Sequence, residues 1–184
     1  MNKSFLKMTA FASLLLLISV VAVQNPSAYA VWTNAPSFGG GTFHYADGLA
    51  LNGKIFDISK YAQKITTQNL SVGKPVKIAL KIFDNDGPTT IKGAAIFFNI
   101  RGATSSVSNS DTWIQYDSRG VYVHDPHHFL GNVTGNESIS YPFKYVTFSF
   151  TPNSQMKTSD MGLMAWDDHY SSFSVLVTSA VSFS

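Results

Sequence analysis

Apolar and polar residues alternate along much of the chain, and this period of two is typical of strands that bury one face. Four runs carry the pattern, namely residues 75–82, 91–100, 145–151 and 173–183. In the third run, Val146, Phe148 and Phe150 share one side, which predicts an inward face. The second run is apolar on both sides, so it is predicted to be a central strand.

Short turn sequences separate these runs. Asn52–Gly53 stands between two apolar segments and predicts a type I′ hairpin. A second hairpin is predicted between residues 112–117 and 121–124, across the turn formers at 118–120. Residues 84–88, with the sequence DNDGP, end another strand. Turns at such short intervals are typical of antiparallel sheets.

Two segments depart from the period of two. Ile58, Tyr61 and Ile65 recur at helical spacing, which predicts at most two helical turns. Residues 131–140 are polar and predict a loop. The remaining chain makes about eight to ten short strands, which predicts an all-β fold. We expect one antiparallel two-sheet β-sandwich over residues 42–184, either immunoglobulin-like or jelly-roll-like.

The closing part of the chain carries a resemblance to a known fold family. Residues 148–152 (FSFTP), followed by residues 162–167 (GLMAWD), resemble the closing strands of immunoglobulin-like domains in secreted archaeal and bacterial surface proteins. The resemblance covers roughly the last 110 residues. It implies an immunoglobulin-like fold and an extracellular setting, and it carries no catalytic signature.

The N-terminal 30 residues have the composition of a secretory signal peptide. Lys3 and Lys7 come before an uncharged run over residues 8–23, and residues 28–30 (AYA) form a small-x-small cleavage motif. The run is shorter than the roughly 20 residues that span a bilayer. We expect cleavage after residue 30 and a flexible linker over residues 31–41. An uncleaved anchor, the alternative, would also leave the domain outside the cell.

Loss of the signal peptide changes the charge balance. The precursor has 13 basic and 11 acidic residues, and removal of Lys3 and Lys7 leaves 11 of each in the remaining 154 residues. A neutral chain gives no electrostatic support for binding nucleic acid or, after cleavage, an anionic membrane. The chain also has no cysteine, which excludes disulfides, thiolate metal sites and cysteine catalysis.

A cluster of imidazoles is the most distinctive chemical feature. Three of the five histidines, His124, His127 and His128, lie in one segment with Asp125 and the turn former Pro126. Imidazole and carboxylate together suit Zn²⁺ or Cu²⁺. The alternative is an ordinary polar loop with exposed histidines.

A second group of candidate ligands, Asp168 and His169, follows an apolar strand. A tight zinc or copper site needs three or four ligands, so we expect this group to converge with the histidine loop at one end of the sandwich. Calcium is the weaker expectation. Residues 84–87 (DNDG) resemble the start of a calcium loop, but they lack the later acidic ligand and are explained by a turn.

Three triplets match the N-glycosylation acceptor pattern, at Asn69, Asn132 and Asn136. The last two lie close together in the polar segment that follows the histidines. The triplets predict surface exposure and possible sites of modification, as in a secreted glycoprotein.

The function is predicted from these features together. No serine lies in a nucleophile-elbow motif, so no catalytic residue is assigned and enzyme activity is not favoured. The leading hypothesis is a secreted or cell-surface binding and structural module, which could be an assembly subunit that contacts other surface proteins or itself. The second is a histidine-based extracytoplasmic copper or zinc protein. The third is a carbohydrate-binding or hydrolase domain.

Overall fold

The computed structural model describes residues 35–40, 47–58, 62–100 and 106–184. Within these ranges the regular structure is β, apart from one 3₁₀ turn at Val107–Asn109. No helix long and apolar enough to cross a membrane occurs in this part of the chain. The predicted signal peptide and the expected start of the sandwich at residue 42 lie outside the described residues.

The described strands are β1 Ser37–Phe38, β2 Leu49–Leu51, β3 Lys54–Phe56, β4 Ala62–Lys64, β5 Gln68–Leu70, β6 Val76–Phe83, β7 Ile91–Phe98, β8 Thr112–Asp117, β9 Gly120–His124, β10 Leu130–Ser140, β11 Phe143–Pro152, β12 Met156–Asp167 and β13 Ser172–Phe183. They form two sheets. The first sheet has the order β10-β11-β6-β2-β3, and β1 also pairs with β6. The second has the order β4-β13-β12-β7-β8-β9, and β5 also pairs with β13.

The two sheets pack face to face through the side chains that the alternating pattern turns inward. Ile78 of β6 and Val146 of β11 are fully buried from the first sheet, and Ile96 of β7 is fully buried from the second. The rings of Phe98 and Phe150 meet across the sheets with centroids 5.6 Å apart. Burial of each large apolar side chain contributes about 1.5–3 kcal/mol. The all-β, two-sheet fold expected from the sequence is therefore confirmed.

The predicted hairpin at Asn52–Gly53 is also confirmed. β2 and β3 pair antiparallel across it, and Asn52 and Gly53 have φ of 48° and 83°. A type I′ turn requires positive φ at both central positions. The Asn52 side-chain oxygen accepts a hydrogen bond from the Lys77 backbone N–H at 2.8 Å, which fastens the turn to β6.

The expectation of purely antiparallel pairing is wrong for one sheet edge. β4 and β5 run parallel to β13, so the second sheet is mixed. Both segments follow the β2–β3 hairpin of the other sheet and reach the free edge of the last strand. No hairpin dictates their direction, since more than 100 residues separate each pair of partners.

The expected linker over residues 31–41 contains part of the folded domain. Ser37 and Phe38 pair with Phe83 and Ile82 of β6, and Phe38 is fully buried. The ordered domain therefore begins before residue 42. The surrounding Gly, Pro and Ser residues are typical of a loop, so the sequence does not indicate this two-residue strand, which is stabilised by its pairing with β6.

The helical turns expected over residues 58–65 are not found in the described part of that segment. Residues 62–64 form β4. Ile58 is buried, and Ile65 packs against the core, which explains the apolar positions without a helix.

The predicted polar loop at residues 131–140 is a strand. β10 spans 11 residues and pairs with β11 from Leu130 opposite Pro152 to Ser140 opposite Phe143. Most of its side chains are exposed because β10 is the outermost strand of the first sheet. Its backbone pairing with β11 holds it in place without an apolar signal.

Candidate functional site

Four connections lie together at one end of the sandwich: β6–β7 (residues 84–90), β8–β9 (118–119), β10–β11 (141–142) and β12–β13 (168–171). In the second sheet, Trp166 pairs with Gly93, which pairs with Asp117, so three strands reach this end in register. The Lys144 ammonium of β11 donates to the Ile91 carbonyl of β7 at 2.7 Å, which places the same end of the first sheet alongside.

Two tyrosines stand out from these connections. Tyr141 is 85% exposed and Tyr170 is 95% exposed, more than the other large apolar side chains that are described. We call this end of the sandwich the tyrosine end. Tyrosine supplies large contact area at a low cost in conformational entropy, and it is common in the binding loops of antibody-type domains.

Two carboxylates are buried beneath the same loops. Asp84 and Asp167 are each 2% exposed. Burial raises the pKa of Asp84 above its ordinary value, and the negative charge of Asp167 adds to this, although hydrogen bonds from Asp86 and Thr90 oppose it. The Asp168 backbone N–H donates to the Thr90 carbonyl at 3.0 Å, which joins the β6–β7 and β12–β13 connections.

The exposed groups beside them form a small charged cluster. Asp168 Oδ2 lies 3.3 Å from the Lys92 ammonium, and Asp168 Oδ1 lies 2.9 Å from Nδ1 of His169. Asp167, Asp168 and His169 each offer a ligand atom, and these three atoms lie within 4.8 Å of one another. Among the described residues, no other group of three such side chains meets this spacing.

The histidine loop lies at the opposite end. Its aspartate organises the turn: Asp125 Oδ1 accepts the Phe129 backbone N–H at 3.0 Å, and Oδ2 accepts the Leu130 N–H at 2.7 Å. The Asp125 carbonyl accepts the His128 N–H at 3.2 Å, and His128 has φ of 54°. Both carboxylate oxygens of Asp125 therefore accept hydrogen bonds from backbone N–H groups.

The histidines of this loop have separate surroundings. The ring of His124 stacks on Trp113 with centroids 5.6 Å apart. His127 Nε2 lies 2.8 Å from Oδ2 of Asp111, and its ring lies 5.3 Å from that of Phe129. All three histidines are exposed.

The convergence of the two candidate ligand groups is not found. His124 pairs with Trp113 of β8, Trp113 pairs with Phe97 of β7, and Phe97 pairs with Gly162 of β12. His124 and Gly162 therefore lie at the same height along the strands of the second sheet. Asp167 follows Gly162 by five residues along β12, roughly 17 Å of extended chain. Asp168 and His169 thus lie at the tyrosine end, and His124, His127 and His128 lie away from it.

Sequence reasoning missed two parts of this arrangement. Asp111 was not considered as a partner of His127, because nothing in its local sequence connects it to a residue 16 positions later. Asp84 lies in the predicted turn, whereas Asp167 is the last residue of β12 and not part of a turn, and the burial of both carboxylates depends on the sheet order. The acidic sequences DNDG and DD were the available signals.

The three predicted glycosylation asparagines, Asn69, Asn132 and Asn136, are all exposed. Asn69 lies on β5, where its side-chain oxygen accepts a hydrogen bond from the Ser182 hydroxyl at 2.6 Å. The other two lie on β10 and not in a loop. Their exposure leaves room for a glycan, and their modification stays a prediction.

Comparison with protein-family models and with curated protein sequences gives no match to this chain.

Proposed function

We propose that this chain is a secreted or cell-surface binding module that recognises a protein partner through its tyrosine end. The observation that carries the proposal is the pair of almost fully exposed tyrosines, Tyr141 and Tyr170, on two connections at the same end of the sandwich. Exposed aromatic side chains on loops held by a rigid sandwich are typical of recognition surfaces. The location outside the cell rests on the predicted signal peptide at residues 1–30.

The strand order supports an immunoglobulin-like sandwich of the variable type. The order β10-β11-β6-β2 corresponds to strands D-E-B-A of that fold, and β13-β12-β7-β8-β9 corresponds to G-F-C-C′-C″. In variable domains the B–C, C′–C″ and F–G connections form the binding end. Their counterparts here are β6–β7, β8–β9 and β12–β13, which all lie at the tyrosine end.

The partner is another surface protein or a second copy of the chain. The charges of the mature chain balance, so long-range electrostatic attraction contributes little, and the aromatic contacts would provide most of the affinity. A histidine-based metal function has less support, because the His124 ring stacks on Trp113 and His127 pairs with Asp111. Among the described residues, His124, His127 and His128 do not form a group whose ligand atoms lie within 4.8 Å of one another.

Site-specific photocrosslinking on the surface of the producing cells tests this proposal. A photoreactive phenylalanine analogue is placed at Tyr141 or Tyr170, and at Val72 as the matched control. Val72 is 37% exposed and donates its backbone N–H to the last residue of the chain, at the opposite end. We expect one defined crosslinked product from each tyrosine position and none from Val72.

Competition identifies whether the contact is specific. Excess wild-type protein should abolish the product, whereas a Tyr141→Ser, Tyr170→Ser double variant should not. Both side chains are exposed, so the double variant should keep the wild-type melting temperature. The mass of the product separates self-association from binding to another protein. Equal crosslinking at all three positions would contradict the proposal.

A further inference from the structure

The outermost strands of the two sheets differ in how well they are protected against pairing with another chain. An edge strand offers unpaired backbone N–H and C=O groups, and proteins usually shield it by short length, by charged residues or proline, or by a β-bulge. Among the described strands, the outermost ones are β1, β3 and β10 in the first sheet and β4, β5 and β9 in the second.

Five of these six strands carry such protection. β1, β3, β4 and β5 have only two or three residues each. β10 is long, but its pairing with β11 shifts register between Gly131 and Thr134, and it includes the acidic Glu137. β9 has five residues, GVYVH, without lysine, proline or an acidic residue, and its pairing with β8 has no register shift. The edge of β9 is therefore the least protected.

The apolar side chains of β9 are only partly covered. Tyr122 is 39% exposed and Val123 is 43% exposed. Val123 lies opposite Ile114 of β8, which is fully buried, so Val123 is on the face of the sheet that is turned toward the core. The other face carries Tyr122, whose ring centroid lies 5.5 Å from the guanidinium carbon of Arg119. Both faces of this edge therefore leave apolar surface in contact with water.

The sequence of β9 is complementary to itself in antiparallel register. A pairing of two copies centred on Tyr122 places Val121 opposite Val123 of the second copy, and Tyr122 opposite Tyr122. Pairs of β-branched residues and pairs of aromatic residues are favourable cross-strand neighbours. Because the pairing has two-fold symmetry, the valine contact forms twice. The partly exposed Val123 would thus be covered from the side.

Charge complementarity supports the same register. Arg119 comes just before β9 and Asp125 just after it, so the pairing brings Arg119 of one copy to Asp125 of the other. The side chain of Arg119 is 75% exposed, and its guanidinium has more donors than its contact with Asp117 uses. Asp125 accepts two backbone N–H groups, and a carboxylate has about four acceptor sites. These flanking charges favour a second copy as the partner.

We infer that the chain forms a symmetric dimer in which the β9 strands of two copies pair antiparallel. The second sheets of the two copies then make one continuous sheet. This surface differs from the tyrosine end, so the inference goes beyond the proposed partner binding and does not depend on it. β9 starts at the tyrosine end and runs away from it. Antiparallel pairing therefore directs the two tyrosine ends in opposite directions, and the dimer presents one binding end on each side.

Cysteine trapping tests the register of this pairing. The chain has no cysteine, so the thiol of a Tyr122→Cys variant can form a disulfide only with a second copy. Directly opposite residues of an antiparallel pair have Cα atoms about 4.5–5.5 Å apart, which suits a disulfide. We expect the secreted Tyr122→Cys protein to become a disulfide-linked dimer under mild oxidation.

The matched control for trapping is Gln115→Cys. Gln115 lies opposite Tyr122 on β8, one strand farther from the two-fold axis. Its two copies would be separated by three strand spacings, about 14 Å. We therefore expect the Gln115→Cys protein to stay unlinked under the same oxidation.

Sedimentation equilibrium measures the association without a covalent link. Five paired residues on each side bury a small area, so we expect a reversible dimer with a Kd of about 1–100 µM. Val123→Lys places a charge on the edge and should weaken the dimer by about tenfold or more. Val72→Lys changes a comparably exposed valine outside β9 and should leave the dimer unchanged. Both variants should keep the wild-type melting temperature, because both side chains are partly exposed.

Three results would overturn the inference. Wild-type protein that stays monomeric up to about 1 mM lacks the dimer, since this concentration exceeds the expected Kd. Equal linking of the Tyr122→Cys and Gln115→Cys proteins would show random collision. A dimer that persists in Val123→Lys but dissociates in the Tyr141→Ser, Tyr170→Ser double variant would place self-association at the tyrosine end. A dimer that survives this double variant while partner crosslinking is lost would separate the two surfaces, as expected.

Discussion

At the scale of single residues, carboxylates in similar turn sequences have different roles. Asp125 accepts two backbone N–H groups and organises the histidine loop. Asp111 pairs with the His127 ring. Asp117 pairs with Arg119, whereas Asp167 keeps a buried oxygen without a donor. The number of donors that the fold supplies therefore decides which carboxylates are available to bind a ligand.

The Asp117–Arg119 pair predicts how stability changes with pH. The Arg119 guanidinium lies 2.8 Å from Asp117 Oδ2, and its hydrogen bonds hold the pKa of Asp117 below the ordinary value of 3.8. A lowered folded pKa stabilises the protein above pH 3.8, and this contribution is lost as pH falls through the folded pKa. We expect Arg119→Ala to lower the melting temperature at neutral pH.

Melting curves from about pH 7 down to about pH 2 measure this effect. The difference between wild type and Arg119→Ala should shrink below pH 3.8. Arg119→Lys keeps the charge but loses the paired geometry, so it should recover only part of the difference. A difference that stays constant across the range would show that the arginine stabilises the turn by packing.

At the scale of elements, turn chemistry sets where strands reverse. Gly53 has φ of 83°, and a Cβ added there would meet no atom within 4 Å. A change to alanine therefore carries a conformational cost without a steric clash.

We expect Gly53→Ala to lower the free energy of unfolding by about 1–2 kcal/mol, because non-glycine residues are strained at positive φ. Denaturant unfolding measures the change. Gly53→Asn is the matched control, since asparagine tolerates this conformation and should cost less. Equal stability of the alanine variant and wild type would show that the hairpin is not held in its type I′ geometry.

At the scale of the whole molecule, one buried lysine joins the two sheets. Lys144 of β11 has a side chain that is 7% exposed. Its ammonium donates to the Ile91 carbonyl of β7 at 2.7 Å and to Glu137 of β10 at 3.0 Å. It therefore connects the second sheet to the outermost strand of the first, close to the tyrosine end.

Lys144→Met should lower the free energy of unfolding by about 2–3 kcal/mol, because it keeps the apolar stem but removes hydrogen bonds made by a charged donor. Chemical denaturation measures the loss. Lys77→Met is the matched control, since Lys77 lies exposed on the adjacent β6 and should change stability little. A stable Lys144→Met variant would show that hydrophobic packing alone holds the sheets together.

Local signals in the sequence determined the strands, the hairpins and the fold class. The period of two at residues 145–151 and the Asn–Gly turn at residues 52–53 act through neighbouring residues, so they are visible without a structure. β10 and the Ser37–Phe38 strand were missed because their stability comes from pairing with distant strands. Propensity carries little information about such pairing.

Only the tertiary structure decided which chemical groups meet. The sequence placed imidazoles and carboxylates in loops but could not tell which end of the sandwich each loop occupies. Strand order and register set His124 level with Gly162 and bring Asp84 beside the Asp167 loop. The physical reason is that a site of this kind depends on contacts between residues far apart in the chain. Asp84 and Asp167 are 83 positions apart, and the sheets bring the loops beside them together, where the Asp168 N–H donates to the Thr90 carbonyl.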